Sequence, residues 1–223
     1  SMLNTNLDFA LTDYVTVNFK ALADAIDVLG GLDIEMTNAE CVHANNYNRE
    51  VSEAQGVEYE AIPYDEDLGD DYSEVRHVSG ALATSYARIR YGGGDDYRRT
   101  ERQRTVLTAM MQKAQKSNIL TLNKLINAAF GDIQTSFSNT DLLALATKVF
   151  SYDIGDTTGF PYEKTTHKYD KIGDVVIPCD LASNVTQLHQ FLFNDENYTP
   201  SATVLSNSQQ IISNTGYKQG DGH

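Results

Sequence analysis

The chain has 223 residues, of which 41% are hydrophobic and 22% are charged, and its formal net charge at pH 7 is −14. These values are ordinary for a globular protein, and the length can bury a core as one large domain or two small ones. An acidic balance of this size excludes broad nucleic-acid binding, which needs a basic surface to neutralise phosphates, but it permits a local basic site.

The first predicted unit is a strand, a helix and a second strand between residues 14 and 36. Residues 14–17 are β-branched or aromatic and predict a strand. Asn18 can cap a helix over 19–29, and Gly30-Gly31 ends it because glycine adopts the positive φ of a helix C-terminus. Residues 32–36 alternate apolar and acidic, as a half-buried strand does. We expect both strands in one sheet of an α/β fold, with the helix on one face.

The next predicted segment, residues 37–74, is irregular and contains an acidic stretch. We expect that stretch to be a solvated loop, because its spacing matches no calcium-binding loop. It comprises Asp65, Glu66, Asp67, Asp70, Asp71 and Glu74. Ser79 can then cap a short helix through Ala87, and a longer helix with an apolar stripe begins near Thr100.

The remaining chain is predicted to be mostly helical. Helices are predicted at 119–130 and 140–150, a loop at 155–173, and a strand at 175–177 that Pro178 ends or places at an edge. Asn184 and Ser206 are the predicted N-caps of two last helices, the second of which ends at Gly216. For Cys41 and Cys179, two separate thiols and one long-range disulfide both stay open.

Residues 86–104, YARIRYGGGDDYRRTERQR, hold six of the eight arginines and none of the nine lysines. A guanidinium group offers a planar fork of donors that fits two oxygens of a phosphate or carboxylate, whereas lysine offers a point charge. If the backbone is extended, Arg88 and Arg90 point to one side, and the glycines at 92–94 permit a sharp turn. The stretch therefore favours recognition of an anion.

The four later arginines lie at the start of the predicted helix, where a partial positive charge makes cations unfavourable unless an anion is bound. They are Arg98, Arg99, Arg102 and Arg104. An alternative is internal pairing with the acidic loop and with nearby carboxylates. Six arginines face three local carboxylates, Asp95, Asp96 and Glu101, so the surplus favours a ligand.

This stretch resembles the conserved block of the LytR-CpsA-Psr family. The shared features are Ala81-Leu82, Tyr-Ala-Arg-x-Arg at 86–90, Asp96 with Arg99, and Arg102-Gln103. Residues 13–36 resemble the family's strand–helix–Gly-Gly–strand element, and 159–162, 177–193 and 198–202 are similar to the C-terminal part of Gram-positive members. The resemblance implies a single domain over residues 1–223, and this domain would have a layered α/β/α arrangement with a central mixed sheet. Residues 3–117 would be the C-terminal half of the conserved catalytic region, and 118–223 an extension that packs on it.

The resemblance implies an extracytoplasmic enzyme that is anchored in the cell membrane. Such a phosphotransferase moves a glycopolymer, for example a teichoic acid, from a polyprenyl-pyrophosphate carrier to peptidoglycan or a related wall acceptor, with Mg²⁺. Arginines of the conserved block bind the pyrophosphate, and an apolar pocket holds the prenyl tail. Nucleic acid is not an expected partner.

The family's site residues carry over by position. Arg88, Arg90, Arg99 and Gln103 match its pyrophosphate-binding positions, and Arg88 and Arg90 are the catalytic candidates. Asp96 and Arg102 match motif positions for which structural pairing is an equally open role. Arg98 and Arg104 have no firm counterpart, and we expect them to be surface charge.

The sequence departs from the family at its beginning. The family's catalytic domain starts well upstream of residue 13, with a strand that carries an Arg-Asp pair and with the aspartates that hold magnesium. We therefore expect a C-terminal portion that lacks the anchor and the metal ligands, and whose own activity stays open. Uncovered strand edges or apolar surface should lead to self-association or to locally disordered segments. The alternatives are a non-catalytic module that binds polyprenyl pyrophosphate or wall polymer, and a transcriptional attenuator, a label historically attached to this family.

Overall fold

The computed structural model describes residues 1–55, 58–90, 95–118, 120–122, 124–125, 133–152, 155–171 and 173–222. At residues 51, 54, 55, 95–97, 139 and 146 it describes the backbone alone. The chain forms two compact units. The larger is Asp13–Asp156, and the smaller joins Ser1–Thr12 to Thr157–His223. The predicted boundary between 117 and 118 falls inside the larger unit, and the organisation as a single domain stays a prediction.

Helices and short strands alternate along the chain. The helices are α1 Met2–Leu7, α2 Phe19–Val28, α3 Asn38–Gln55, α4 Gly80–Tyr86, α5 Asp95–Gln115, α6 Asn139–Thr147, α7 Leu181–Phe193 and α8 Ala202–Thr215. The strands are β1 Val15–Val17, β2 Leu32–Thr37, β3 Ser73–Val78, β4 Ile133–Thr135, β5 Lys164–Tyr169 and β6 Gly173–Pro178. Residues 120–122 and 124–125 are also helical, and Glu66–Leu68 and Val149–Ser151 form 3₁₀ turns.

The described strands form three antiparallel pairs, which are β1 with β4, β2 with β3, and β5 with β6. Val15 faces Thr135, and Leu32 faces Val78. The mixed α/β class is confirmed, but the prediction that residues 14–17 and 32–36 share a sheet is wrong. All three residues of β1 are exposed, so no buried face requires β1 to lie beside β2.

Local signals predicted α2 correctly. The Asn18 side chain accepts a hydrogen bond from Ala21 N at 2.7 Å, and the buried face carries Ala21, Ala25 and Ile26. Gly31, at φ 82°, lies so close to β3 that an added Cβ would meet the Val78 carbonyl oxygen at 2.8 Å. The helix after Ser79 is also confirmed, since Ser79 caps α4.

Helix α3 corrects the prediction that residues 37–74 are irregular. Its 18 residues bury asparagines, and these amides bind the backbone of the following loop. Asn45 accepts from Ile62 N at 2.7 Å and donates to Ile62 O at 2.9 Å. Asn48 donates to Glu60 O, and Asn38 to the carbonyls of Asp65 and Gly69. Because amides occupy this buried face, the sequence lacks the apolar periodicity that predicts a helix.

The acidic stretch is exposed as expected, and Asp65 to Asp71 lie outside the strands, but Glu74 belongs to strand β3 and not to a loop. The hydrophobic core of the larger unit is formed by residues of α2, β2, α3 and the elements packed against them. It includes Ile26 of α2, Ile34 and Met36 of β2, Cys41 of α3 and Ile89. Cys41 and Cys179 are both buried and free, and burial raises the pKa of Cys41 to about 11.

The smaller unit corrects three predictions. Asp180, not Asn184, caps α7, while the buried Asn184 accepts from the backbone N–H groups of Tyr162 and Glu163 at 2.6 and 3.0 Å. Ser201, not Ser206, caps α8, whose end at Gly216 is as predicted. The predicted loop at 155–173 contains β5. The two capping errors have one cause, because a nearby polar residue carried the same local signal.

Asp8 ties the N-terminal residues to the rest of the smaller unit. Its carboxylate accepts from Tyr198 Oη at 2.5 Å, from Ser201 Oγ at 2.7 Å and from Ser201 N at 2.8 Å. Burial raises the pKa of Asp8, but the hydrogen bonds from Tyr198 and Ser201 outweigh it and hold that pKa below its usual value. The ionised form is therefore the one that stabilises the fold.

We expect Asp8→Asn to lower the free energy of unfolding at pH 7 by about 1–3 kcal/mol, because charge-assisted bonds are lost. Asparagine tolerates the left-handed φ of 51° found at this position. Since the folded pKa lies below the unfolded value of ~3.9, the contribution is complete above that value and disappears as pH falls through the folded pKa.

Urea unfolding of both proteins at pH 7 and at pH 3 measures this effect, and the difference between them should shrink at pH 3. Asp195→Asn is the control, because its exposed carboxylate accepts a local bond from Asn197 N at 3.1 Å. Equal effects of the two variants at pH 7 would contradict the role of Asp8.

Candidate functional site

An apolar cavity of about 600 Å³ lies inside the larger unit. Its walls come from α2, α5, the β1–β4 pair, Leu125 and α6. Apart from Asn18, Gln103 and Thr135, the lining side chains are apolar. They are Val15, Val17, Phe19, Ala21, Leu22, Ala25, Ala87, Val106, Leu107, Met110, Leu125, Ile133 and Leu142. The size falls within the ~300–1,000 Å³ range of small-molecule sites.

Helical spacing explains how the cavity forms. Val106 and Leu107 lie three and four residues after Gln103, and Met110 lies four and three residues after them, so all four share one face of α5. The small Ala21 and Ala25 of α2 leave space opposite that face. Part of the wall is open to solvent, since Phe19 is 55% exposed and Leu107 57% exposed. Contiguous exposed apolar surface of this kind is typical of a binding site.

Arg88 lies at the border of this cavity. Its Cζ atom is 5.3 Å from the ring centroid of Phe19, which belongs to the cavity wall, and 5.6 Å from that of Tyr47 on α3. Both distances are in the range of cation–π attraction. The backbone of Arg88 is fixed as well, because its N–H donates to Ser85 O at the end of α4.

The two rings beside Arg88 were not identified from the sequence. An aromatic residue at a helix start, such as Phe19, and one within a helix, such as Tyr47, are indistinguishable from ordinary core residues by spacing. Only their positions against the guanidinium group reveal the arrangement.

Gln103 and Arg99 lie on one face of α5. Gln103 lines the cavity, and Arg99, half-buried, precedes it by four residues, which places it one turn away on the same side. The helix begins at Asp95, not near Thr100, so Gln103 lies in the third turn and not in the first. Acidic residues at positions 95 and 96 favour that earlier start, because negative charge stabilises the first turn of a helix.

Arg90 is exposed and is separated from Arg88 by the buried Ile89. The glycines at 92–94 and the side chain of Asp96 lie outside the described residues. The structure thus brings Arg88 and Gln103 to one cavity and places Arg99 on the face of Gln103. The convergence of Arg88, Arg90 and Arg99 on a single anion stays a prediction.

Arg102 is held by protein groups on the side of α5 away from the cavity. It is 7% exposed, and its Nε donates to Glu40 Oε1 at 2.8 Å while Nη1 donates to Ile89 O at 3.3 Å. This contact agrees with the structural-pairing alternative for Arg102. The exposed Arg98 lines a small polar cleft on the same side, together with Glu40, Tyr86, Glu101, Arg102 and Thr105. Burial raises the pKa of Tyr86 and keeps its hydroxyl neutral.

Metal binding has no support from the described residues. Among them, no group of three or more His, Cys, Asp or Glu side chains could hold a metal ion. They do not fit a magnesium site, and no catalytic step through magnesium is derived from them. In the same part of the chain, no helix has both the length and the apolar character needed to cross a membrane.

Fold and site together define a mixed α/β protein with an arginine-bordered apolar cavity. The model of the LytR_cpsA_psr family matches residues 1–171, and the chain belongs to this family. A curated relative is the polyisoprenyl-teichoic acid–peptidoglycan teichoic acid transferase TagV of Bacillus subtilis (strain 168), 26% identical over 150 residues. That match covers 62% of this chain and 32% of TagV, so the chain spans about a third of the relative's length.

Two solved structures have the same fold. A transcriptional regulator of Enterococcus faecalis, EF0465, superposes with a TM-score of 0.63 at 19% identity, over 97% of this chain and 72% of the other. The crystal structure of B. subtilis TagV gives a TM-score of 0.55 at 21% identity, over 89% and 69% of the two chains. At these identities the likeness establishes the fold.

We expect the cavity to bind apolar molecules and a charge on the exposed part of its wall to oppose this binding. Leu107→Glu should weaken binding of an apolar fluorescent probe about tenfold, because the probe would remove water from an ionised carboxylate when it covers that part of the wall. Titration of probe fluorescence measures the affinity. Leu143→Glu is the matched control, since Leu143 is 54% exposed on α6 and is not part of the cavity wall. Equal losses in both variants would place the probe elsewhere.

Proposed function

We propose that this chain is part of a cell-wall glycopolymer phosphotransferase and that the cavity holds the lipid of a polyprenyl-pyrophosphate carrier. The observation that carries the proposal is the position of Arg88, a guanidinium group at the border of an apolar cavity of about 600 Å³. A prenyl diphosphate has the same two parts, an apolar chain and an anionic head. The name of TagV, a transferase for polyisoprenyl-linked teichoic acid and peptidoglycan, supports this substrate class.

The lipid tail would bind through burial of apolar surface, which contributes about 25 cal/mol per Å² removed from water. The exposed parts of Phe19 and Leu107 supply that surface. Such attraction has no preferred direction, so a flexible isoprenoid chain can fill the cavity in several conformations. The tail therefore supplies affinity, and the polar groups at the border supply orientation.

The diphosphate would lie at Arg88, with Arg90, Arg99 and Gln103 as further donors. In the transfer, a hydroxyl oxygen of the wall acceptor forms a bond to the phosphorus that carries the glycopolymer. The bond from that phosphorus to the bridging oxygen breaks, polyprenyl phosphate leaves with its electron pair, and the acceptor proton is released. Negative charge grows on the leaving phosphate, and fixed guanidinium groups stabilise it there.

The proposal extends to the whole protein. It includes peptidoglycan as the acceptor, an extracytoplasmic location, where that acceptor lies, and a membrane anchor, which would keep the enzyme close to its lipid carrier. A magnesium requirement belongs to the same proposal, with no ligands assigned among the described residues. The test of turnover is the release of polyprenyl phosphate from a lipid-linked polymer by the full-length protein. Binding without release would favour the non-catalytic module instead.

We expect Arg88→Lys to weaken binding of geranylgeranyl diphosphate about ten- to a hundredfold, which corresponds to about 1.5–3 kcal/mol for one charge-assisted contact. Lysine keeps the charge but loses the planar fork and the stacking on the rings of Phe19 and Tyr47. Calorimetric titration measures the affinity, which should also fall as salt is raised.

Arg98→Lys serves as the control, because Arg98 is exposed on the other side of α5. It should keep the parental affinity. Unchanged affinity in Arg88→Lys would mean that this guanidinium group serves only the aromatic contacts inside the protein.

A further inference from the structure

Glu40 uses its two carboxylate oxygens for two different elements. Oε2 accepts from Thr37 N at 3.1 Å, and Thr37 Oγ1 accepts in turn from Glu40 N at 3.2 Å. This reciprocal pair is a capping box at the start of α3. Oε1 accepts from Arg102 Nε on α5 at 2.8 Å. One carboxylate therefore fixes the beginning of one helix and the side chain of another.

Arg102 extends this link to the segment that carries the candidate arginines. Its side chain is 9% exposed, and that of Glu40 is 19% exposed. The far end of the guanidinium group donates to Ile89 O at 3.3 Å. Ile89 is 0% exposed, and its N–H donates to Tyr86 O at 3.2 Å. The residue between Arg88 and Arg90 is thus held at its N–H, its side chain and its carbonyl.

The direction of Arg102 depends on the charge of Glu40. A buried guanidinium group without a carboxylate partner is strongly destabilising, so it would turn toward other acceptors. Arg98 and Glu101 line the same cleft, and Glu101 is an exposed carboxylate that could attract it. Pairing with Glu40 instead keeps the fork of Arg102 aimed at the Ile89 carbonyl.

We propose that Glu40 is a positioning residue for the diphosphate site. Acting through Arg102, it fixes the Ile89 carbonyl and so sets the placement of Arg88 and Arg90 on either side. This inference rests on the proposed function, since it assumes that the two arginines bind the diphosphate. Small misplacements of such groups are costly, because about 1 Å of displacement can reduce an activity about a hundredfold.

The test is Glu40→Gln, with two ligands that share one tail. Thr37 N and Arg102 Nε contact different oxygens of the carboxylate, and in glutamine one of these positions becomes an NH2 donor that cannot accept from either group. Glutamine is itself a capping-box residue. The local cap should therefore survive and the pair with Arg102 should be lost. We expect geranylgeranyl diphosphate to bind about tenfold more weakly and geranylgeraniol, which lacks the diphosphate, to bind as it does to the parent.

Thr37→Ala is the matched control, since it removes the hydroxyl side of the capping box and leaves both bonds to the Glu40 carboxylate in place. It should lower stability and preserve the preference for the diphosphate over the alcohol. The carbonyl carbon shift of Ile89 in NMR spectra should move in Glu40→Gln and stay in Thr37→Ala. Arg102→Lys is a second route, because an ammonium group cannot span Glu40 and Ile89 as a fork does.

The possible outcomes distinguish a failure of the positioning role of Glu40 from a failure of the proposed function. If the parent prefers the diphosphate and Glu40→Gln or Arg102→Lys keeps that preference, Glu40 has no positioning role. An equal loss of both ligands would also overturn it, because that result indicates general damage to the fold. A parent that binds diphosphate and alcohol equally would overturn the proposed function and this inference together.

Discussion

The pairing of buried side-chain amides with loop backbone is the constraint on which the site depends. Asn38, Asn45 and Asn48 hold α3 against the loop at 60–69, and α3 carries both Glu40 and Tyr47. A buried amide without a partner costs about 1–3 kcal/mol, so each pairing opposes displacement of the helix. The ring beside Arg88 and the carboxylate beside Arg102 are positioned by the same helix.

The arginines of this acidic protein have different structural roles. Arg76 is buried, donates to Asn38 Oδ1 at 3.0 Å and to the Pro63 carbonyl, and pairs with Glu74 at 2.8 Å. Arg102 is likewise turned inward. Arg88 instead lies over aromatic rings at the cavity border. Clustering in sequence therefore does not mean a common role, and burial with a carboxylate partner separates the structural arginines from Arg88.

The sequence predicted those parts of the fold that have local causes. Asn18 and Ser79 cap helices because a side-chain oxygen reaches a nearby N–H group, and Gly216 ends one because glycine accepts positive φ. The β1–β4 pair joins residues far apart in the chain, and no local pattern contains that information. Guanidinium chemistry made Arg88 a candidate and the family resemblance made Gln103 one, and both lie at the cavity or its border. Glu40 was not a candidate because its contact is with Arg102 on α5, which is distant in sequence.

Two faces of helix α5 take part in two different kinds of interaction, hydrophobic contact and hydrogen bonding. The face with Gln103, Val106 and Leu107 borders the apolar cavity, whereas Arg102 on another face belongs to the polar network. Hydrophobic attraction is non-directional and tolerates variation in the cavity wall, but hydrogen bonds weaken steeply when donor and acceptor are misaligned. A ligand with an apolar chain and an anionic head needs accurate placement only at its head. Hydrogen bonds hold the backbone around residues 86–90, and the exposed strand β1 lies along the apolar wall.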